Sequence, residues 1–291
     1  MSAISTDALG KRYGSNWALR DCTLEIPTGS VTALVGPNGA GKTTLLKLVV
    51  GLTRPSEGTV EVLGRTPRDD ERELMPKVGF VAQDHPLHAG FTVAEMLKLG
   101  QRLNPSWNDD IARRRIERLR LPLDRKVGKL SGGQQSQVAL TLALAKQPEL
   151  LLMDEPVASL DPLARREFLN SVLEAVTEHE MTVVLSSHIV ADLERVCDHL
   201  VILSESRPLL VAQIEDVVAS HRLLTGPLAD AADVARVHDV IRASHTKRQT
   251  TLLVRANGHV YDAKWELHEV DLEEIVLAYL GYGAEVFEVA S

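Results

Sequence analysis

The chain has 291 residues, 44% hydrophobic and 25% charged, proportions ordinary for a folded globular protein and enough for one large domain with an appendage. A formal charge of −8 argues against nucleic acid as the main partner, because a surface built for phosphate backbones carries a basic excess. The two cysteines, Cys22 and Cys197, have no metal-ligand spacing and read as reduced structural thiols. No stretch reaches the roughly 18 uninterrupted apolar residues that span a bilayer, and Met1 to Ser5 lacks the basic and apolar start of a secretion signal. The expectation is a cytoplasmic protein, held at a membrane only through another chain.

Ile4 to Leu9 and Leu19 to Ile26 predict strands, with Lys11-Arg12-Tyr13-Gly14 between them. Tyr13 reads either as a half-buried strand residue or as an aromatic that stacks on a base. Val31 to Val35 is a short apolar run that reads as a buried strand. It leads into Gly36-Pro37-Asn38-Gly39-Ala40-Gly41-Lys42-Thr43, a full phosphate-loop pattern followed by Thr44. Apolar residues at helical spacing then run from Lys42 to Val50 and stop at Gly51. Strand, glycine-rich turn and helix together make an anion site: backbone N–H groups point inward and the helix start adds partial positive charge. Lys42 is placed to reach the β- and γ-phosphates of a nucleotide, and the Thr43 hydroxyl to ligate Mg²⁺.

Thr59 to Leu63 predicts a strand after turn residues. Val78 to Gln83 predicts another, with Gln83 at its carboxyl end, either facing a ligand crevice or an exposed loop amide. Thr92 to Leu103 and Asp109 to Leu119 then read as helices, Arg113, Arg114, Arg115 and Arg118 making a solvated face on the second. This span, about 84–150, is a helical insertion into an α/β core. It closes in Leu130-Ser131-Gly132-Gly133-Gln134, where Ser131 is a fitting N-cap for an Ala/Leu-rich helix to Ala145. The two glycines leave that helix start open, which makes it a second candidate anion site.

Leu150 to Met153 is continuously apolar, the mark of a strand covered on both faces, and ends in Asp154-Glu155. Asp154 at the strand tip suits Mg²⁺ beside Thr43, and Glu155 could orient or deprotonate a water. Asp161 caps the next helix, with Pro162 in its first turn. Leu169, Val172, Leu173 and Val176 form that helix's core stripe. Thr182 to Ser186 is another buried strand, and His188 beyond its tip is either structural or a phosphate sensor.

The order of these elements resembles the nucleotide-binding domain of ABC ATPases over roughly residues 1–220. The resemblance implies an α/β fold of the P-loop NTPase type with a helical subdomain. It implies ATP and Mg²⁺ as ligands and a head-to-tail dimer, formed with itself or a homologous ATPase. Each ATP would lie between one subunit's phosphate loop and the other's Ser131-Gly132-Gly133-Gln134. By the same resemblance Tyr13 stacks on adenine; Thr43, Asp154 and Gln83 serve Mg²⁺; Glu155 orients the attacking water; His188 contacts the γ-phosphate; and Asp161 couples the two sites. One departure is Gln137, where the family often has Arg. Asn104 to Asn108 and Lys126 to Leu130 are similar to the single-cassette ATPases of ABC-2-type bacterial exporters. The implied partner is a separately encoded integral membrane subunit, with the ATPase peripheral on the inner face of the membrane. A soluble, non-transport ABC ATPase is the alternative. Residues 221–291 predict a small α+β extension, with strands at Thr251–Arg255 and Glu285–Val289 and a helix over Asp271–Leu280. His245, His259 and His268 show no ligand spacing.

Overall fold

The computed structural model describes residues 1–158, 160–190, 193–258 and 264–281. The expected strand at Glu285–Val289, together with Ser159 and His259, lies outside them. In chain order the first elements are β1 (Ser2–Tyr13), β2 (Asn16–Pro27), β3 (Val31–Val35), α1 (Lys42–Val49), β4 (Glu57–Val62), α2 (Glu71–Leu74) and β5 (Val78–Val81). Next come α3 (Val93–Leu103), α4 (Asp109–Arg118), α5 (Gly132–Ala145), β6 (Leu150–Met153), α6 (Pro162–His179), β7 (Thr182–Ser187), β8 (His199–Ser204) and β9 (Arg207–Gln213). The chain continues with α7 (Ile214–Ser220), β10 (His221–Pro227), α8 (Ala231–Val237), β11 (Asp239–His245), β12 (Gln249–Arg255), β13 (Glu266–His268) and α9 (Leu272–Tyr279).

Two compact units result, Met1–Val211 and Ala212–Ser291. The division falls ahead of the boundary at 220 expected from the motifs. The reason is local: His221 Nδ1 hydrogen-bonds to the Val217 carbonyl, which ties the end of α7 to β10.

In the first unit a six-stranded sheet runs β5-β6-β7-β3-β8-β9, with β5, β6, β7, β3 and β8 parallel in sequence of pairing. Its middle strands are apolar throughout because both faces are covered. All four residues of β6 are fully buried, a contribution of roughly 1.5–3 kcal/mol for each large side chain. Glu205 and Ser206, both at positive φ, form the two-residue turn from β8 to β9. The Ser206 carbonyl accepts from Arg20 N at 2.7 Å, pinning that turn to β2.

A three-stranded antiparallel sheet, β2-β1-β4, shares a core with α1 and the parallel sheet. Both strands extend beyond the spans read from the sequence: β1 continues through Lys11-Arg12-Tyr13 and β2 begins at Asn16, leaving a tight connection between them. Register shifts between Thr6 and Leu9 and again before Arg12 break the period-two alternation that would have marked one long strand.

The insertion between β5 and β6 is helical, with its own apolar cluster of Val93, Leu97, Ala112, Ile116, Leu130 and Val138. Thr92 caps α3 through a reciprocal bond pair with Glu95, and Asn108 caps α4. The expected solvated arginine face of α4 holds for Arg113, Arg114 and Arg118. Arg115 departs from it: its Nη2 donates to Gln137 Oε1 at 3.4 Å, and burial pushes its pKa down to about 10.

In the second unit an antiparallel sheet runs β11-β12-β10-β13. Leu224, Val234, Ala243, Leu252 and Trp265 form one cluster on it, and α9 buries Leu272, Ile275 and Val276.

Candidate nucleotide site

β3 delivers the phosphate loop to the carboxyl end of the parallel sheet, where open α/β sheets hold ligands. Gly36 is required there, because a Cβ would lie 2.3 Å from the Leu203 carbonyl oxygen at the end of β8. Gly41, at φ 107°, turns the loop into α1 with its first N–H groups exposed toward the loop. Lys42 folds back: its Nζ donates to the Gly36 carbonyl at 2.7 Å and the Pro37 carbonyl at 3.3 Å. A cavity of about 390 Å³ is lined by Ala18, the residues from Pro37 to Thr44, Gln83 and Glu155.

Tyr13 is exposed and stands opposite Asn16 in the β1–β2 pairing.

The two carboxylates sit at the tip of β6. Asp154 is 2% exposed and accepts from Ser186 Oγ at 2.8 Å through Oδ1. Glu155 has φ 47°, an unusual backbone state for a non-glycine residue. Its N–H donates to the same Ser186 Oγ at 2.8 Å. Glu155 Oε1 lies 3.2 Å from Lys42 Nζ without hydrogen-bond alignment, and Oε2 is 2.8 Å from His188 Nδ1. His188 is thus brought to Glu155, a pairing the sequence did not disclose. Ser186 was also missed as a site residue; a hydroxyl at the end of an apolar strand gives no signal until its neighbours are known.

Thr43, Gln83 and Asp154 line one further cavity of about 600 Å³, which continues between β5 and the helical insertion past Phe80, Leu87, Met96 and Leu142. A hydroxyl and a carboxylate are the hard oxygen donors Mg²⁺ takes, alongside substrate phosphates and water. Among the described residues no cluster of three His, Cys, Asp or Glu could hold a metal by itself. The buried, unaligned Glu155 Oε1 is suited to a polar group arriving with a ligand.

The second candidate anion site lies at the start of α5. Ser131 Oγ accepts from Gln134 N at 3.2 Å while Gln134 Oε1 accepts from Ser131 N at 3.0 Å. This reciprocal cap leaves the N–H groups of Gly132 and Gly133 available. Asp161 caps α6 by accepting from Leu163 N and Ala164 N, both at 3.0 Å. Ser131, Gly132, Gly133, Gln134 and Asp161 line a cavity of about 350 Å³ that shares no lining residue with the phosphate-loop cavity.

A phosphate loop, a carboxylate pair at the neighbouring strand tip and a separate capped helix start define a P-loop nucleotide-hydrolysing cassette. The family profile described as ABC transporter matches residues 19–158. The molybdenum import ATP-binding protein ModC of Aromatoleum aromaticum is 36% identical over 257 residues, covering 84% of this chain and 67% of that protein. The phosphonates import ATP-binding protein PhnC 1 of Natronomonas pharaonis is 35% identical over 233 residues, covering 74% and 98%. The Nod factor export ATP-binding protein I of Rhizobium johnstonii is 34% identical over 210 residues, covering 70% and 67%. Among solved structures, the ATP-binding subunit of an ABC transporter aligns with a TM-score of 0.67 at 28% identity, covering 75% of this chain and 92% of that one. A dimeric ATP-binding cassette in a post-hydrolysis state, bound to ADP and Pi, aligns with a TM-score of 0.64 at 26% identity, covering 72% and 98%.

This chain belongs to the ABC transporter family as an ATP-binding subunit, binding ATP with Mg²⁺ and hydrolysing it.

Proposed function

We propose that the chain is the ATPase subunit of an exporter, driving a separately encoded membrane protein from the inner face of the membrane. The observation that carries the dimeric part of this reading is the separation of the two anion sites. One chain offers a phosphate loop and a capped helix start with no common lining residue, so two chains arranged head to tail would complete two sites. Phosphoryl transfer depends mainly on positioning and charge stabilisation, and closing the two halves on ATP supplies both.

In this reading Gly36 to Thr44 bind the phosphates, Tyr13 stacks on adenine, and Thr43, Asp154 and Gln83 hold Mg²⁺, which neutralises developing charge on the phosphates. Glu155 orients the attacking water, held by His188 on one oxygen and facing Lys42 with the other. His188 reports the γ-phosphate to this pair. Gln83 lines both the phosphate-loop cavity and the groove along the helical insertion, so it is placed to carry the nucleotide state to a partner seated there. Asp161 and the Ser131–Gln134 cap serve the ATP held by the opposite subunit.

Export rests on the Asn104–Asn108 and Lys126–Leu130 segments and on the similarity to a Nod factor export protein. Import proteins match at comparable identity, so identity by itself does not choose the direction. Among the described residues no helix is long and apolar enough to cross a membrane.

The test is affinity capture of a Glu155→Gln variant from detergent-solubilised host membranes with ATP and Mg²⁺. A multi-span membrane protein at near-equal stoichiometry is expected. Recovery of soluble partners alone would overturn transport in favour of a soluble ABC ATPase. Uptake and efflux assays on vesicles carrying the captured complex then decide direction.

A further inference from the structure

Ser186 is fully buried at the end of β7, and its hydroxyl makes two bonds of 2.8 Å at once. The single O–H hydrogen is donated to Asp154 Oδ1. A lone pair accepts the backbone N–H of Glu155. A serine hydroxyl has one hydrogen and two lone pairs, so this assignment follows from the two partners: a carboxylate oxygen can only accept and a peptide N–H can only donate. The donor to the carboxylate fixes its rotation and leaves Oδ2 outside that bond. The acceptor at the peptide holds Glu155 in the left-handed backbone state, φ 47°, that an L-residue adopts only when its surroundings enforce it.

We propose that Ser186 is a positioning residue for both halves of the hydrolytic centre, setting the metal-side carboxylate of Asp154 and the water-side carboxylate of Glu155 with one oxygen. The inference rests on the roles given above to Asp154 and Glu155. It touches neither nucleotide nor water itself. Its effect has two separable parts: orientation of Asp154 governs how readily Mg²⁺ binds with nucleotide, and anchoring of Glu155 governs the rate of hydrolysis once both are bound. Partners that orient a metal-ligating group commonly alter metal affinity or activity by 10–100-fold when removed.

The neighbouring Ser187 supplies an internal comparison. It is also buried, but its hydroxyl bonds only the backbone of Ile189. Losing it removes a strand-end hydroxyl without touching either carboxylate.

The experiment uses the full chain. In a Glu155→Gln background, which suppresses turnover, binding of a fluorescent ATP analogue is titrated with Mg²⁺ for Ser186, Ser186→Ala, Ser186→Thr, Ser187→Ala and Asp154→Asn. Ser186→Ala is expected to raise the Mg²⁺ midpoint about ten-fold, with Ser186→Thr and Ser187→Ala within about two-fold of the parent. With Glu155 restored, Ser186→Ala is expected to lower kcat about ten-fold or more at saturating Mg²⁺ while KM for ATP moves by less than about two-fold. An unchanged Mg²⁺ midpoint and kcat in Ser186→Ala, or an equal shift in Ser187→Ala, would overturn the proposal. Asp154→Asn separates the two layers of argument. If it leaves the Mg²⁺ midpoint in place, the metal-site assignment itself is wrong; if it raises the midpoint and Ser186→Ala does not, only the role of Ser186 fails.

Discussion

Lys42 Nζ lies 3.2 Å from Glu155 Oε1, and the two side chains are 6% and 8% exposed. The lysine of the phosphate loop and the carboxylate proposed to orient water are therefore one electrostatic unit. Removing one member of a buried pair leaves the other charge uncompensated, which costs more than the pair contributes.

Lys42→Met is accordingly expected to destabilise the first unit by about 3 kcal/mol, at the low end for a broken buried pair because His188 still bonds Glu155. Glu155→Gln preserves shape and leaves Lys42 its two carbonyl bonds, so it is expected to keep ATP binding and to lower kcat by about 10²–10⁴-fold. Denaturant unfolding measures the first and steady-state phosphate release the second. Near-native turnover in the glutamine variant would remove Glu155 from the reaction.

Much of this centre was legible in the sequence because its signals are local. The phosphate loop, the apolar run of β6 and the Ser131 cap each declare themselves within about a dozen residues. What stayed hidden depends on contacts between distant segments. Ser186 meets Asp154 across 32 positions, and Arg115 meets Gln137 across 22. Bulges in β1 break its alternation, so the sequence showed only Ile4 to Leu9 of a strand that runs to Tyr13. In the second unit β12 was legible as Thr251–Arg255, whereas β13 is three residues long and exposed, so it carries no alternation to read.

Gly36 is a question of space. A Cβ there would sit 2.3 Å from a backbone carbonyl, which cannot rotate away as a side chain would. Gly36→Ala is expected to displace the loop from β8, with a cost of about 1–3 kcal/mol and a larger loss in nucleotide affinity. Calorimetric ATP titration against the native chain checks it; unaltered affinity would show that the loop tolerates the shift.

Cys22 provides a pH dependence. Burial pushes its thiol from 9.0 up to about 12. The unfolded chain therefore releases this proton first as pH rises, and the folded state loses relative stability from about pH 9 until about pH 12. The slope approaches ~1.4 kcal/mol per pH unit. Other groups titrate in the same range, so the informative quantity is the difference between the native chain and Cys22→Ala. That difference is expected to shrink by about 1.4 kcal/mol between pH 8 and pH 10 in urea unfolding. A pH-independent difference would mean that the folded thiol ionises as readily as the unfolded one.

Gln137 stands where the wider family often has arginine, and Arg115 explains why glutamine suits this chain. Gln137 is 7% exposed and accepts from the half-buried Arg115, whose depressed pKa already records the cost of removing its charge from water. A second guanidinium at 137 would replace an acceptor by a donor, add like charge and increase side-chain volume in a packed place. Gln137→Arg is thus expected to destabilise the first unit by about 1–3 kcal/mol. Exchanging the two residues should reverse that loss: in an Arg115→Gln, Gln137→Arg double variant the glutamine again faces the guanidinium, with the charge now on α5. Thermal unfolding of both single variants and the double variant forms a cycle. A coupling energy near zero would show that α4 and α5 do not communicate through this contact, whereas recovery toward native stability would show that the arginine has moved from one helix to the other with its partner.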